Sequence, residues 1–355
     1  MQIDELLRIA VQKRASDLHV RAGAPPILRI HGDLIPIGDG HATALSPEET
    51  TQAFKDVTRE GHRQDFAATR ELDFHYEVPN LAHFRVNASV QRGSISLAFR
   101  RIGLEIPSIE ELNLPSICGS LTLKPRGLIL VTGPTGSGKS TTLAAMIQHL
   151  NQHDARVVVT IEDPIEYLHE DRRCVIMQRE VGRDTESFAR ALRSALRQDV
   201  DVILVGEMRD PETMAACLTA AETGHLVMST LHTSSASMTI DRVIDVFPPH
   251  QQDQIRMQLS LTLEAVLSQI LLPRIDVEGR VPAVEVMLSS TAVRNLIREG
   301  KTHQMPNVIQ TSSGAGMQSL EQSLNGLLQR NMITMEGALA TANDPEALKA
   351  LVTRG

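Results

Sequence analysis

Short apolar runs separated by helical patterns fill the middle of the chain. Four of these runs contain no alternating polar positions: 128–131, 157–161, 202–205 and 226–228. A strand that is apolar on both faces is typical of a parallel sheet with helices packed on each side. Between the second and third runs, apolar residues recur at helical spacing from Phe188 to Leu196. The pattern therefore predicts an α/β domain built on a parallel sheet.

Helical patterns continue toward the C-terminus. After Pro248-Pro249, one helix is predicted from the spacing of Leu259, Leu263, Val266, Leu267 and Ile270. The chain beyond residue 290 is also predicted to be mostly helical, with an interruption at the Gly- and Ser-rich segment TSSGAG. We therefore predict a domain over 121–355 that includes a helical C-terminal region over 290–355.

The first hundred residues follow a different pattern. An amphipathic helix opens the chain, and apolar runs on either side of His31-Gly32-Asp33 predict a hairpin. The stretch HFRVNASVQRGSISLAFRRI predicts two more strands joined at Arg92-Gly93. A proline-containing segment with little periodicity comes next. These observations predict a small α/β domain over 1–102 and an interdomain linker over 103–120.

Composition supports two ordinary globular domains. The chain has 355 residues, of which 42% are hydrophobic and 22% charged. A net charge of −8 disfavours a nucleic-acid partner, and an aromatic content of 3% argues against stacking on single strands. The three cysteines, which lie more than 40 positions apart, form no metal or redox pair and fit a reducing cytoplasm. The charged N-terminus and the lack of a long apolar run predict no signal peptide and no transmembrane segment.

A phosphate-binding pattern follows the first apolar run. GPTGSGKS matches GxxxxGK[ST], between a predicted strand and a predicted helix. Glycines let backbone N–H groups converge on phosphate oxygens, and the following helix adds the positive end of its dipole. The lysine places a charge at the β- and γ-phosphates, and the next hydroxyl ligates Mg²⁺. The pattern therefore predicts a site for a nucleoside triphosphate and Mg²⁺, formed by Gly133, Pro134, Thr135, Gly136, Ser137, Gly138, Lys139, Ser140 and Thr141.

Two acidic segments also follow predicted strands. The first ends in Gly206-Glu207, with glycine where the common hhhhDE pattern has aspartate, and the second is IEDPIE, ending at Glu166. Because parallel strands deliver their carboxyl ends to one edge, both segments can reach the phosphate loop. We predict that Glu166 and Glu207 serve the metal and the attacking water. For Glu162 and Asp163, a capping or solvated role fits equally well.

Two histidines and three arginines leave alternatives open. His225 and His232 flank the last apolar run, and each fits a hydrogen-bonded core residue as well as a functional one. Neither belongs to a zinc pattern. Arg190, Arg193 and Arg197 share one helix face, which is either solvated or directed at the nucleotide of a neighbouring subunit.

The order of these motifs resembles that in one protein family. GPTGSGKSTTLAAM, IEDPIEYLH, DVILVGEMRD and AAETGHLVMSTLHT follow one another as in the secretion-superfamily ATPases. ASDLH and AVRNLIRE narrow the resemblance to the type IV pilus retraction ATPases, the PilT family. The resemblance covers nearly the whole chain. It implies an N-terminal PAS-like domain, a C-terminal RecA-like P-loop ATPase domain and a homohexamer.

The resemblance also implies a function. It predicts a Mg²⁺-dependent ATPase motor that binds ATP and powers pilus retraction and twitching motility. Its expected location is the cytoplasmic face of the inner membrane, without a transmembrane segment. The expected partner is the inner-membrane pilus platform protein, with a paralogous retraction ATPase as a further candidate.

Residue roles follow from the same resemblance. Glu166 corresponds to the general base, and Glu207 and Ser140 to the groups that hold Mg²⁺. His225 and His232 correspond to residues that couple the γ-phosphate to domain movement. Two arginines of the N-terminal domain, Arg85 and Arg100, match groups that approach the nucleotide across the domain interface.

Four alternative functions stay open from the sequence. Within the superfamily they are an accessory retraction ATPase and a pilus-extension or type II secretion ATPase, although the chain has no tetracysteine zinc insert. Outside it they are a non-catalytic, nucleotide-binding regulator of the pilus platform and a DNA-dependent motor. The two glutamates argue against the regulator, and the negative net charge argues against the DNA motor.

Overall fold

The chain folds into two compact units, residues 1–105 and 106–355, in the computed structural model. The structure describes residues 3–30, 32–38, 43–79, 81–102 and 106–354. His31 of the predicted hairpin turn and residues 103–105 of the predicted linker therefore lie outside the described residues. Both units combine helices with a β-sheet, so the predicted α/β class is confirmed.

The described residues of the first unit form a six-stranded antiparallel sheet with three helices. Its strand order is β3-β2-β1-β6-β5-β4. The two predicted hairpins are present, and Arg92 and Gly93 both have positive φ, as a tight two-residue turn requires. The elements are α1 Ile3–Gln12, β1 Asp17–Arg21, β2 Ile27–Ile30, β3 Asp33–Pro36, α2 Pro47–Val57, α3 Glu60–Thr69, β4 Glu71–Val78, β5 Ala82–Gln91 and β6 Ser94–Arg101.

One face of this sheet is apolar and the other is charged. The apolar face forms a core with α1 and α2 that includes Leu7, Phe54 and Phe99. On the opposite face the strand register lines up a polar row across five strands: Arg29, Asp17, Arg100, Arg85 and His75. This alternation is typical of an antiparallel sheet that buries one side only.

The second unit contains the predicted parallel sheet, in the order β13-β12-β7-β11-β10-β8-β9. All neighbours are parallel except β12 and β13. The elements up to the sheet's last strand are α4 Ile117–Thr122, β7 Gly127–Thr132, α5 Lys139–His153, β8 Val157–Glu162, β9 Val175–Glu180, α6 Phe188–Ala195, β10 Val202–Val205, α7 Pro211–Glu222, β11 Leu226–Leu231, α8 Ala236–Asp245, α9 Pro249–Thr262, β12 Leu263–Pro273 and β13 Arg280–Leu288.

Two cores cover the two faces of this sheet. One contains α4 and α5, and the other contains helices α6 to α10. Neighbouring residues of β7 show the division, because Ile129 belongs to the first core and Leu130 to the second. Burial on both faces explains the unalternated apolar runs in the sequence.

The last three helices of the C-terminal region pack on the antiparallel hairpin β12–β13, whereas the first two pack with α8 and α9. The region consists of α10 Thr291–Arg298, α11 Met305–Thr311, α12 Leu320–Gln329, α13 Met335–Thr341 and α14 Pro345–Arg354. The edge of β13 is covered, since Val284 N–H donates to Ser323 Oγ at 2.9 Å and Gln318 Nε2 donates to the Val284 carbonyl at 2.7 Å. No helix in the described part of the chain combines the length and the apolar character that a membrane span needs.

Two predictions about element positions are wrong. The helix predicted from Leu259 to Ile270 ends at Thr262, and the residues from Leu263 onward form the buried strand β12. The predicted linker over 103–120 is also too long. Ile109, Leu114 and Cys118 are buried in the core of the second unit, so the chain from residue 106 onward belongs to that unit.

A buried carboxyl group joins β13 to α8. Glu285 is 8% exposed and accepts a hydrogen bond of 2.6 Å from the backbone N–H of Ala236. Burial raises the pKa of Glu285, whereas the bond from Ala236 lowers it, and burial prevails. The side chain therefore holds the first turn of α8 at the cost of placing an acid in the interior.

We expect Glu285→Gln to stabilise the chain at pH 8 and to have little effect at pH 5. The folded-state pKa is raised, so the folded chain holds a proton that the unfolded chain releases, and stability falls as pH rises above the ordinary value of 4.5. Glutamine keeps the acceptor for Ala236 but has no charge to bury. The unfolding temperature at both pH values tests this, with the exposed Glu278→Gln as the control. A lower unfolding temperature of Glu285→Gln at pH 8 would show that the ionised bond outweighs burial.

Candidate nucleotide site

The carboxyl ends of four parallel strands meet around one cavity. The phosphate loop, residues 133–138, connects β7 to α5, and the acidic segments follow β8 and β10. The cavity has a volume of about 460 Å³. Its wall contains the expected groups from all four strand ends: Thr135, Gly136, Gly138, Lys139, Ser140, Thr141, Glu162, Asp163, Glu166, Glu207 and His232.

The phosphate loop requires glycine for two physical reasons. Gly133, Gly136 and Gly138 all have positive φ, at 142°, 79° and 88°. A Cβ on Gly133 would lie 2.2 Å from the backbone oxygen of Gln269, whereas a Cβ on Gly136 would meet no heavy atom within 4 Å. The loop therefore approaches β12 at one point so closely that no side chain fits.

The cradle suits an anion. Lys139 Nζ folds back over the loop and donates to the carbonyls of Gly133 at 2.9 Å and Pro134 at 3.1 Å. Burial lowers the pKa of Lys139, and the charges of Glu207 and Glu166 act in the opposite direction. Ser137 Oγ is buried in the loop and finds no hydrogen-bond partner among the described residues. A half-buried lysine, an unsatisfied hydroxyl and a helix N-terminus together match the needs of a phosphate chain.

Glu207 has two side-chain partners, Arg209 and His232. Arg209 Nη2 donates to Glu207 Oε2 at 2.8 Å, and His232 Nε2 lies 2.9 Å from Oε1. Burial raises the pKa of Glu207. The Arg209 hydrogen bond and the electrostatic interactions with His232, Arg209 and Lys139 lower the pKa, and together they outweigh burial. The net pKa is below the ordinary value. An ionised carboxylate beside the Ser140 hydroxyl offers the hard oxygen ligands that Mg²⁺ prefers.

The two glutamates of the acidic segment, Glu162 and Glu166, have different surroundings. Glu162 is turned inward and accepts hydrogen bonds from Thr160 Oγ1 at 2.6 Å and from the backbone N–H of Glu166. Burial raises its pKa. Gln178 braces the same segment, since its Nε2 donates to the Tyr167 carbonyl at 2.8 Å. Glu162 therefore holds the acidic segment through the N–H of Glu166, and the Glu166 side chain is left exposed at the cavity wall.

The two histidines lie at opposite ends of β11. His232 follows the strand at the carboxyl edge and lines the cavity. His225 precedes the strand at the amino edge, where its Nδ1 lies 3.0 Å from the Ala220 carbonyl. Six strand residues at about 3.3 Å each separate them by roughly 20 Å. His225 therefore does not line this cavity, and its coupling role stays a prediction.

The arginines predicted on the helix α6 face do not line this cavity. Arg190 forms an ion pair with Glu186, and Arg193 Nη1 lies 2.6 Å from Glu212 on the outer face of α6. In the first unit, Arg100 Nε lies 2.9 Å from Asp17, and Arg85 Nε lies 3.7 Å from an oxygen of Asp73. The roles of Arg85 and Arg100 at a nucleotide stay predictions.

Sequence reasoning missed one wall of the cavity. Leu271 on β12 and Arg280 on β13 line it, on the side of the phosphate loop opposite the acidic segments. Both belong to the β12–β13 hairpin, whose first strand overlaps the segment predicted to be a helix. The signal available was the strand-like pair of apolar runs at 263–273 and 280–288, separated by a polar, Gly-containing segment.

Alanine substitutions in the loop should show whether glycine is needed because a Cβ would clash or because the backbone has positive φ. We expect Gly133→Ala to weaken ADP binding by more than ~100-fold, because the added Cβ forces the loop away from β12. Gly136→Ala meets only the backbone penalty of about 1–2 kcal/mol and should bind ADP about tenfold more weakly. Isothermal titration of both variants and the parent tests this. Equal losses in the two variants would show that the approach to Gln269 does not limit the loop.

Comparisons with known proteins agree with this geometry. The family model described as type II/IV secretion system protein matches residues 96–336. The type IV pilus retraction ATPase PilT of Pseudomonas aeruginosa is 49% identical over 346 residues, which are 98% of this chain and 99% of that protein. The type IV pilus ATPase PilU of the same organism is 41% identical over 355 residues, covering 100% of this chain and 92% of its own.

A solved structure has the same fold. The crystal structure of the pilus retraction motor PilT with bound ADP superposes with a TM-score of 0.92 at 46% identity, and the match covers 99% of both chains. The family expectation drawn from the motifs is confirmed. This chain belongs to the type II/IV secretion system protein family, among the ATPases related to the pilus retraction motor PilT.

Proposed function

We propose that this chain is the subunit of a Mg²⁺-dependent ATPase motor that retracts type IV pili and so drives twitching motility. The observation that carries the proposal is the single cavity in which the phosphate loop, Glu166, Glu207 and His232 come together. A non-catalytic nucleotide-binding regulator would not need Glu166 exposed at the cavity wall. The similarity to PilT supports the choice of pilus retraction as the process that is driven.

The proposed reaction is ATP + H₂O → ADP + phosphate. The loop amides and Lys139 bind the phosphate chain, and Glu166 orients the attacking water and accepts its proton. Ser140 and Glu207 would hold Mg²⁺, which neutralises charge on the β- and γ-phosphates. Arg209 and His232 contact Glu207 and line the same cavity, so either side chain can turn toward the γ-phosphate when ATP is bound.

Force requires that the γ-phosphate binds one conformation better than another, since equal binding shifts no equilibrium. We propose that the two states differ in the rotation of a PAS-like N-terminal domain relative to a RecA-like ATPase domain. Arg85 and Arg100 would approach the nucleotide across that interface. The functional assembly is proposed to be a homohexamer at the cytoplasmic face of the inner membrane, acting on the pilus platform protein.

A second candidate is an accessory retraction motor. The alignment with PilU spans 100% of this chain at 41% identity, so the likeness to PilU is of similar extent to that with PilT. An accessory motor would hydrolyse ATP by the same residues but would need a paralogous ATPase to retract pili. Retraction in a strain that lacks the paralogue separates the two candidates.

Glu166→Gln should bind ATP but hydrolyse it about 10²–10⁴-fold more slowly, because glutamine cannot accept a proton. The matched control is Glu170→Gln, an exposed glutamate of the same connection that does not line the cavity, and it should stay within about twofold of the parent. Phosphate release by the purified chain measures both rates.

Lys139→Ala should abolish ATP turnover and leave the oligomer intact.

The cellular arm uses a deletion strain that is complemented with each variant. Cells carrying Glu166→Gln should keep excess surface pili and fail to twitch. Cells carrying Glu170→Gln should regain the normal number of pili and normal twitching. Bald cells would indicate a pilus-extension ATPase instead. Parental turnover by Glu166→Gln or Lys139→Ala would reject the catalytic assignment.

A further inference from the structure

A buried glutamine of β12 lies against the phosphate loop. Gln269 is 3% exposed. Its Nε2 donates to the backbone carbonyl of Ser137 at 2.6 Å, and its Oε1 accepts from Thr142 Oγ1 at 2.9 Å. One amide group therefore joins the loop, the first turns of α5 and the strand β12. Both hydrogen bonds are shielded from water, where losing a partner has its full cost.

The glycines of the loop close around this residue. A Cβ on Gly133 would lie 2.2 Å from the Gln269 backbone oxygen, and a Cβ on Gly138 would lie 3.2 Å from its Nε2. The first and last glycines of the motif thus contact the backbone and the side chain of Gln269. Their absence of side chains lets the loop fold onto β12 as well as onto a ligand.

The direction of one peptide bond follows from this contact. In a trans peptide the carbonyl and the next N–H point in opposite directions. The Ser137 carbonyl points down to Gln269, so the N–H of Gly138 points the other way, toward the cavity that Gly138 lines. An inverted peptide would present a carbonyl oxygen to the phosphates and repel them.

We propose that Gln269 is a positioning residue of the nucleotide site, which holds the Ser137–Gly138 peptide so that its N–H faces the phosphate chain. The inference rests on the proposed nucleotide-binding function of the loop. Gln269 does not itself contact the ligand. Its contribution is to fix, before ATP binds, a donor that both the ground state and the transition state use.

Two substitutions test the donor. Gln269→Glu keeps the size and the acceptor for Thr142 but replaces the donor by an oxygen that repels the Ser137 carbonyl. Gln269→Met keeps the length and removes both bonds. We expect Gln269→Glu to raise the Kd for ADP at least ~10-fold and the KM for ATP by a similar factor, since an unpaired buried carbonyl costs about 1–3 kcal/mol. The kcat should change by less than about threefold, because binding is lost equally in both states.

Two controls distinguish positioning from general stability. Thr142→Val removes only the partner of Oε1 and should change the ADP Kd by less than about threefold. Gln318→Met removes a similar bond of 2.7 Å to a backbone carbonyl of β13, far from the loop, and should lower the unfolding temperature without affecting KM. All measurements use the full chain, by titration calorimetry, steady-state kinetics and thermal unfolding.

Each outcome decides between the alternatives. An ADP Kd and an ATP KM within twofold of the parent in Gln269→Glu would overturn the proposal, provided that the parent binds ADP and Lys139→Ala does not. Failure of the parent to bind ADP would reject the proposed function instead. If Gln269→Glu does not fold, Gln269→Met decides by the same criterion. If neither folds, Gln269 determines the fold and the positioning role is rejected.

Discussion

The parallel alignment of β7, β8, β10 and β11 is the constraint on which the site depends. The register places Leu130, Ile161, Val205 and Ser229 in one row across the four strands, so all four end at the same edge within a few residues. Burial on both faces fixes that register, because a shift by one residue would exchange the two cores. The phosphate loop, both acidic segments and His232 are neighbours for this reason, although nearly 100 residues separate them in sequence.

Three of the segments at this edge are held by polar side chains of the sheet strands. Gln269 holds the phosphate loop, Glu162 and Gln178 hold the segment with Glu166, and Glu285 holds the first turn after the loop of His232. A loop cannot satisfy its own backbone groups as a helix does, so these contacts define its conformation. The groups that would contact ATP are thereby positioned before it arrives, which lowers the entropic cost of binding and of catalysis.

The sequence predicted the parts of the site that carry a local signal. The glycine pattern, the buried strands and the acids after them were identified because each depends on a few consecutive residues. The strand β12 was missed, since a fully buried strand and a buried helix differ little in periodicity, and Gln269, Leu271 and Arg280 were missed with it. His225 precedes β11 and so lies at the amino edge of the parallel sheet, away from the cavity at the carboxyl edge.

The amino edge of the sheet shows why such a residue has a different task. There Lys124 Nζ lies 3.2 Å from Glu264, Asp201 accepts the Val157 N–H at 2.8 Å, and His225 contacts the Ala220 carbonyl. These contacts fix the points at which the chain enters the strands, and their partners are protein groups. At the carboxyl edge the corresponding charges of Lys139, Glu166 and Glu207 face a cavity. The two edges carry similar residue types, but only the second leaves them open to exchange their partners for a phosphate, a metal ion and a water molecule.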